Sequence, residues 1–274
     1  MSQLAVPHGL APESRQLMET TCADTELGSA AQVIHDKGQL ILHHCLAALL
    51  DAFSIVAPAY MARVQRIGRL AADLGRLQRV DHPDTLEGLA FAAQLGSLTL
   101  PESTMLKMHR GELLTSTERH DVRNAPKLGE RLLSRIPGFE REREIVRLHD
   151  VHAVSPGELP VEAAILRVAI GFDRLEASGK TPAEAIKLLR DRDPMYSSEI
   201  LDTLSVYTVA GDQSDRVRSI LIADLTSGAV LAADIISSDG VLQLGVGHRL
   251  NTVVIERLQI LAKRHLIADT VWVS

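Results

Sequence analysis

The sequence predicts a mainly α-helical fold that is followed by a small α+β module at the C-terminus. Two observations support this prediction: apolar residues recur at helical spacing from residue 39 to about residue 206, and short runs rich in β-branched residues follow residue 207. A chain of 274 residues with 46% hydrophobic residues can bury a substantial core. We therefore predict a flexible leader or linker remnant at 1–38, a helical domain at 39–206 and a small α+β domain at 207–274.

The helical part is predicted to begin with two consecutive helices. Apolar side chains recur every three or four residues over 39–56, and the same spacing resumes after Pro58, through Tyr60, Val64, Ile67 and Leu74. Pro58 separates the two series, because proline disfavours the helical conformation of the residue before it. Each helix is expected to bury one face.

The next helices are predicted from apolar spacing and capping signals. A third helix over 86–93 is ended by Gly96 and the extended segment LTLP. Thr115 and Glu118 have the spacing of a capping box, which starts another helix. Pro126 removes a backbone donor from the helix interior, so we expect the helix to break there and to restart before Leu128.

Three further helices are predicted before residue 206. One spans about 140–152, and the loop SPGELP separates it from the strongly apolar run VEAAILRVAIGFDRL, which forms the second. Thr181, Pro182 and Glu184 supply an N-cap, a proline in the first turn and a capping-box acid at the start of the third.

Beyond residue 207 the pattern changes from helix to strand. The runs RSILIADL, AVLAADII and VLQLGVG are predicted strands, with turns at Ser227-Gly228 and Asp239-Gly240. A helix over about 252–265 and a final short strand, TVWVS, complete the module. With about 60 to 70 residues it lies near the lower limit for a domain that folds alone, so we expect it to dock on the helical part.

Composition argues against several classes of function. The formal net charge of −6 and the aromatic content of 3% argue against a nucleic-acid-binding protein. No apolar run approaches the roughly 18 to 20 residues of a membrane span, and the N-terminus lacks a signal-peptide pattern. Cys22 and Cys45 form neither a CxxC motif nor a disulfide framework. We therefore expect a cytoplasmic protein with reduced cysteines that binds neither nucleic acid nor membranes.

Two local clusters of polar residues have alternative interpretations. Five arginines between residues 63 and 79 are distributed around most of a helix circumference, and we interpret them as a solvated face rather than a phosphate-binding track. His149, Asp150 and His152 in the segment HDVH have the residue types of a metal site. Because all three come from a single helical turn, we favour a polar helix end, where cationic histidines interact well with the helix dipole.

Six short motifs follow one another along the helical part. They are RVQRIGRLAADLG, LAFAAQLGSLTLPES, LTSTE followed by APKLGERLLSRIP, IVRLHD, GELPVEAAILRVAIGFDRL and TPAEAIKLL. In their order and spacing, residues 58–204 resemble the HD-GYP type of HD-domain phosphohydrolase, a bacterial signalling family that hydrolyses cyclic di-GMP at a cluster of two or three metals. The resemblance implies an HD-domain-like helical bundle.

The resemblance also implies which positions correspond to the family's catalytic residues. Where the family has its first histidine, this chain has Tyr60. At the histidine-aspartate pair that names the family it has Ala93 and Gln94, and at the catalytic lysine that follows it has Ser97. At these four positions the family's histidines, aspartate and lysine are therefore missing.

The later family positions are altered in the same way. A further family histidine corresponds to Ala125, and the aspartate of the late helix corresponds to the apolar Ile170. In the paired-histidine position His149 is retained and Asp150 replaces its neighbour, while the glycine-tyrosine-proline loop is shortened to VHAVSPGELP. His149 is thus the one ligand that the comparison retains, with Asp150 as a chemically competent substitute.

These replacements predict a degenerate, non-catalytic domain without a cofactor, because one His/Asp pair cannot form a two-metal centre. The segment AAQLGSLTLP resembles a degenerate version of the domain that follows a phospho-receiver domain in response regulators, with a similar C-terminal module. The resemblance implies a regulatory or output role in two-component or cyclic-di-GMP signalling through protein or ligand binding. The partners it implies are a receiver or diguanylate cyclase domain, a second copy of the chain, and a cyclic dinucleotide.

Two alternatives remain open. A residual metal-dependent phosphohydrolase of the cyclic-di-GMP phosphodiesterase type would use His149, Asp150 and His152, with Asp173 as a further ligand and iron, manganese or zinc as its cofactor. In the other alternative, the altered pocket binds a nucleotide or another small ligand through hydrogen bonds from Gln94 and Tyr60.

Overall fold

The helices of the first part follow the predicted apolar patterns. The structure, a computed structural model, describes residues 53–136, 139–149, 156–192, 195–211 and 217–274. The predicted leader at 1–38 and most of the predicted helix at 39–56 lie outside the described residues. Residues 53–56 of that helix are described and helical.

The first two helices of the described part pack against each other. α1 (Pro58–Leu77) begins with a proline, which is tolerated there because an N–H in the first turn would have no acceptor within the helix. The helix buries Ile67 and Leu74. α2 (Thr85–Gln94) packs along α1 and continues directly into a 3₁₀ segment, Leu95–Thr99. The predicted stop at Gly96 and the predicted extended start of LTLP are therefore wrong, since Gly96, Leu98 and Thr99 are all in this 3₁₀ segment. This pair contributes one side of the main hydrophobic core.

α3 (Glu102–Arg110) was not predicted, because it is short and buries few side chains. The helix ends at Gly111, whose φ of +65° lies in the left-handed region. A Cβ on this glycine would lie 1.9 Å from the carbonyl oxygen of Ala177, so the close approach of the two chain segments also requires glycine. The helix is thereby fixed against both α1 and the helix that contains Ala177.

α4 (Ser116–Leu133) is a single helix, so the predicted break at Pro126 is wrong. Its capping box is confirmed: the Glu118 N–H donates to Thr115 Oγ1 at 3.2 Å, and the Thr115 N–H donates to Glu118 Oε2 at 2.7 Å. An interior proline costs about 3 kcal/mol. Packing of α4 against the 3₁₀ segment and against α2 offsets this cost and keeps the helix continuous.

Four further helices complete the bundle. α5 (Glu140–His149) ends within the predicted 140–152 range, and residues 150–155 lie outside the described residues. α6 (Val161–Ala177) is buried on nearly every side from Glu162 to Ala169, as expected of a central helix. α7 (Pro182–Arg190) has the predicted capping box, and α8 (Ser198–Gly211) covers α7. A short 3₁₀ turn, Pro156–Glu158, precedes α6.

Residues 217–274 contain four short strands, one 3₁₀ turn (Ile222–Asp224) and one α-helix. β1 (Arg218–Leu221) pairs antiparallel with β4 (Thr270–Val273), and β2 (Ile235–Ile236) pairs antiparallel with β3 (Leu242–Leu244). The predicted strand AVLAADII is mostly irregular, since only its last two residues form a ladder and Val230 and Leu231 make single bridges. α9 (Thr252–Lys263) packs on this framework and forms a separate apolar core with it.

The structure confirms the predicted fold class of a mainly helical chain with a few small strands at its C-terminus. All described residues belong to one compact unit, and α1 contacts β3 directly. The division into domains at 206/207 stays a prediction, although α8 continues past that point to Gly211. None of the helices in the described ranges has the length and apolar character needed to cross a membrane.

Candidate functional site

Five of the predicted site residues line one cavity of about 540 Å³ within the helical part. The cavity lies among α2, the 3₁₀ segment, α4, α5 and α6. The cavity therefore brings together residues that are up to 77 positions apart in the sequence. They are Ala93, Gln94, Ser97, His149 and Ile170.

The wall of the cavity is apolar at two positions where the resemblance places metal ligands. Ala93 is 3% exposed and belongs to a small hydrophobic cluster with Leu133 and Val146. Ile170 packs against the same cluster. Gln94 and Ser97 are buried next to it and bring one amide and one hydroxyl. These four side chains offer neither a carboxylate nor an imidazole.

His149 is held at the end of α5 by backbone contacts. Its Nδ1 donates to the carbonyl oxygen of Val146, one turn earlier in the helix. The buried guanidinium of Arg167 donates from Nε to the His149 carbonyl at 2.9 Å and from Nη2 to the Leu148 carbonyl at 2.9 Å. An arginine that satisfies the last carbonyls of a helix stabilises the helix end. His149 and Arg167 therefore enter the cavity wall as one fixed unit.

The described donor atoms do not fit a centre of two metals. Asp150 and His152, the further ligands of the alternative metal site, lie outside the described residues. Asp173 is 5% exposed, and both of its oxygens accept hydrogen bonds from arginines, Arg63 and Arg66. Within the described ranges, no three His, Cys, Asp or Glu side chains are grouped closely enough to hold a metal ion.

Tyr60 and Ala125 are not among the residues that line the cavity. Tyr60 is 4% exposed, and its hydroxyl has no hydrogen-bond partner in the described part of the chain. Burial raises the pKa of this hydroxyl, an effect that the charge of Arg63 partly opposes. The carbonyl of Ala125 lies against the backbone of Gly96, where α4 crosses the 3₁₀ segment. The structure thus does not place Tyr60 beside Gln94 in the cavity.

The most prominent charged feature of the cavity was missed by sequence reasoning. Five arginines line it against a single acid, Glu112. Arg63 is paired with Asp173, and Arg167 binds backbone carbonyls. The other three side chains make no hydrogen bond or ion pair with any described residue. They are Arg123, Arg174 and Arg192.

One signal in the sequence would have revealed part of this feature. Arg167, Ile170 and Arg174 lie three and four residues apart on α6 and so share one face of the helix. Since the resemblance placed Ile170 at the site, the two arginines on the same face could have been assigned to it. Arg123 and Arg192 come from other segments, and no local pattern connects them with the site.

Comparisons with known proteins support the resemblance at the level of the family. Residues 48–197 match the HD domain, which covers more than half of the chain. A search among curated proteins gives no match. The matched range contains α1 to α7 and every described residue that lines the cavity.

Proposed function

We propose, from the premise that the chain belongs to the HD-domain family, that it is a non-catalytic regulatory domain of bacterial signalling. In this proposal the cavity binds an anionic ligand through arginine side chains and transmits its presence to a protein partner. The cyclic dinucleotides of the resembling family are the first ligands to test. A receiver or diguanylate cyclase domain and a second copy of the chain remain the expected partners.

One observation carries the proposal: apart from His149 and its neighbour Asp150, the positions of the family's metal ligands are apolar or neutral, while the cavity around them is lined by five arginines. Ala93 and Ile170 pack together in the wall, and five arginines surround it with one glutamate. In a metal-dependent phosphohydrolase the ions neutralise the phosphodiester and activate water. Guanidinium groups can neutralise and orient a phosphate, but they cannot supply the activated water. If arginines take the place of the metal ions, the cavity is expected to bind a phosphate without hydrolysing it.

The three arginines that form no ion pair with any residue of the described ranges are the groups that we expect to bind the ligand. A guanidinium can bind a phosphate with two parallel hydrogen bonds, which are stronger than bonds between neutral groups. Arg174 lies on the same face of α6 as Ile170, so it approaches the place where the family holds its metals. Its loss should weaken ligand binding by about 10- to 100-fold, given the roughly 1.5 to 3 kcal/mol of a hydrogen bond to a charged group.

The first test measures catalysis and metal content. The purified protein is analysed for iron, manganese and zinc, and is then incubated with cyclic di-GMP in the presence of each metal. We expect substoichiometric metal and no hydrolysis. Two bound ions per chain with product formation would overturn the proposal. That result would favour the residual phosphohydrolase, which uses His149 of the cavity together with Asp150 and His152.

The second test measures binding. Cyclic di-GMP and other cyclic dinucleotides should raise the melting temperature, because a ligand that binds only the native state stabilises it. The shift should be smaller for Arg174→Gln and should decrease with increasing salt. Arg131→Gln, an exposed arginine of α4 that does not line the cavity, is the matched control. Equal shifts for both variants would exclude the cavity as the binding site.

A further inference from the structure

A buried carboxylate connects the cavity with the C-terminal part of the chain. Asp173 of α6 is 5% exposed and lies between two arginines on successive turns of α1. Its Oδ2 accepts from Nε of Arg63 at 3.0 Å, and its Oδ1 accepts from Nε of Arg66 at 2.9 Å. Because the two cations share one anion, a stronger interaction with one of them weakens the interaction with the other.

The two arginines face different parts of the molecule. Arg63 lines the cavity, whereas Arg66 does not. Nη1 of Arg66 donates to the carbonyl oxygen of Val246 at 3.2 Å, and so holds the loop that follows β3. The same nitrogen lies 3.5 Å from Nδ1 of His109, a residue of α3 that is 6% exposed.

His109 extends this contact to a second residue of the C-terminal part. A guanidinium can only donate, so Nδ1 of His109 is an acceptor and Nε2 carries the proton. Nε2 then donates to Asp234 Oδ1 at 3.1 Å. The same oxygen of Asp234 accepts the N–H of Val246 at 2.7 Å. In the series Arg66, His109 and Asp234, each residue thus donates a hydrogen bond to the next. Both ends of the series contact the same residue of the loop, since Arg66 donates to the carbonyl of Val246 and Asp234 accepts from its N–H.

The loop also lies in direct contact with α1. A Cβ on Gly245 would be 2.5 Å from Cβ of Ala62, and a Cβ on Gly247 would be 2.4 Å from Cγ of Arg66. Gly247 has a φ of +82°, which favours glycine on conformational grounds as well. A movement of the Arg66 side chain therefore changes the surface on which the loop is seated.

We infer that an anion in the cavity weakens the docking of the C-terminal part through Asp173. An anion bound by Arg63 draws this cation away from Asp173, and the buried carboxylate then takes a larger share of Arg66. Arg66 in turn withdraws from the Val246 carbonyl and from His109. This inference rests on the proposed function for its ligand, and it adds the way in which ligand binding is transmitted.

Linkage makes the inference testable from the other end. If the anion weakens docking, then by reciprocity the undocked state binds the anion more tightly, so a variant that populates the undocked state should have a lower Kd for the anion. We call the hydrogen-bonded series Arg66, His109 and Asp234 the relay. His109→Gln changes the relay and leaves the charges of Asp173 and Asp234 in place. We expect it to lower the Kd for pyrophosphate, the probe anion, at least threefold by titration calorimetry. His82→Gln, an exposed histidine that does not line the cavity, is the matched control and should leave the Kd unchanged.

The outcomes separate this inference from the proposed function. If the natural chain binds pyrophosphate and His109→Gln binds it with the same Kd, the inference alone is overturned.

If the natural chain does not bind pyrophosphate, the proposed anion site fails. The relay is then judged without ligand by a double-mutant cycle of Arg63→Gln and His109→Gln. Non-additive shifts of the urea midpoint support the relay, and additive shifts overturn it. Asp234→Asn replaces His109→Gln in every arm if that variant does not fold.

Discussion

His248 is a fully buried histidine of the C-terminal part whose ring nitrogens have no hydrogen-bond partner among the described residues. Burial, together with the nearby charge of Arg69, lowers its pKa from 6.5 to about 4. The residue is therefore neutral in the folded protein at neutral pH. In the unfolded chain it takes up a proton at a pH near 6.5.

This difference predicts a loss of stability in mild acid. Between pH 6.5 and pH 4 the unfolded chain binds more protons than the folded chain, so the free energy of unfolding falls as the pH falls. The loss of unfolding free energy that His248 causes, relative to neutral pH, reaches about 3 kcal/mol at and below pH 4. Urea unfolding at a series of pH values measures the slope. His248→Gln should flatten it in this window, whereas His82→Gln, at an exposed site, should not.

A slope that is equally steep in His248→Gln would show that other groups cause the acid sensitivity. The comparison concerns the pH dependence and not the stability at one pH, because a buried glutamine has its own cost.

At the scale of elements, the crossing of α4 with the 3₁₀ segment positions one wall of the cavity. Gly96 of the 3₁₀ segment and Gly129 of α4 meet there without side chains. A Cβ on Gly96 would lie 1.7 Å from the carbonyl oxygen of Ala125 and 2.8 Å from the nitrogen of Gly129. Both obstructing atoms belong to the backbone, so they cannot yield as a flexible side chain would. Ser97, the next residue, takes its place in the cavity from this crossing.

Gly96→Ala should therefore destabilise the protein by about 3 kcal/mol, since α4 must move away from the 3₁₀ segment. The urea midpoint measures the loss. Gly157→Ala is the control, because no described atom lies within 4 Å of a Cβ at that position and its φ is not in the left-handed region. The control should change the free energy of unfolding by no more than about 0.5 kcal/mol. A similar midpoint for both variants would contradict a tight crossing.

The same crossing shows what sequence patterns can predict and what they cannot. Apolar spacing located the long helices, and the capping boxes at Thr115 and Thr181 located two helix starts, because both signals are local. Pro126 gave a wrong break, because the packing that carries α4 through it comes from residues 30 positions earlier in the chain. The strand AVLAADII was overextended for a related reason: its pairing depends on distant partners such as Arg249 and Val273.

At the scale of the whole molecule, the two parts share buried polar contacts as well as apolar ones. The small size of the C-terminal part predicts that it docks on the bundle, but no sequence pattern indicates which residues are involved. His109, Asp234 and Arg66 are isolated in sequence and meet only in the fold. At the surface, Nη1 of Arg257 adds one more contact between the two parts, a hydrogen bond to the carbonyl oxygen of Ile55. The arginines of α1, interpreted from the sequence as a solvated face, are in part the centre of this junction.

Shared contacts of this kind predict that the two parts unfold together. Trp272 of β4 is the single tryptophan of the chain, so its fluorescence reports on the C-terminal part. Far-UV circular dichroism reports mainly on the helices, most of which precede residue 212 in the described ranges. In a cooperative two-state transition both signals have the same midpoint and slope in urea. We expect coincident curves for the natural chain, because loss of the C-terminal part would leave His109 and Ala62 of the bundle without their covering loop.

Asp234→Asn weakens the junction and should separate the curves, with fluorescence changing at the lower urea concentration. Two separate midpoints in the natural chain would instead show that the bundle and the C-terminal part fold as independent domains, as a boundary near residue 206 would allow.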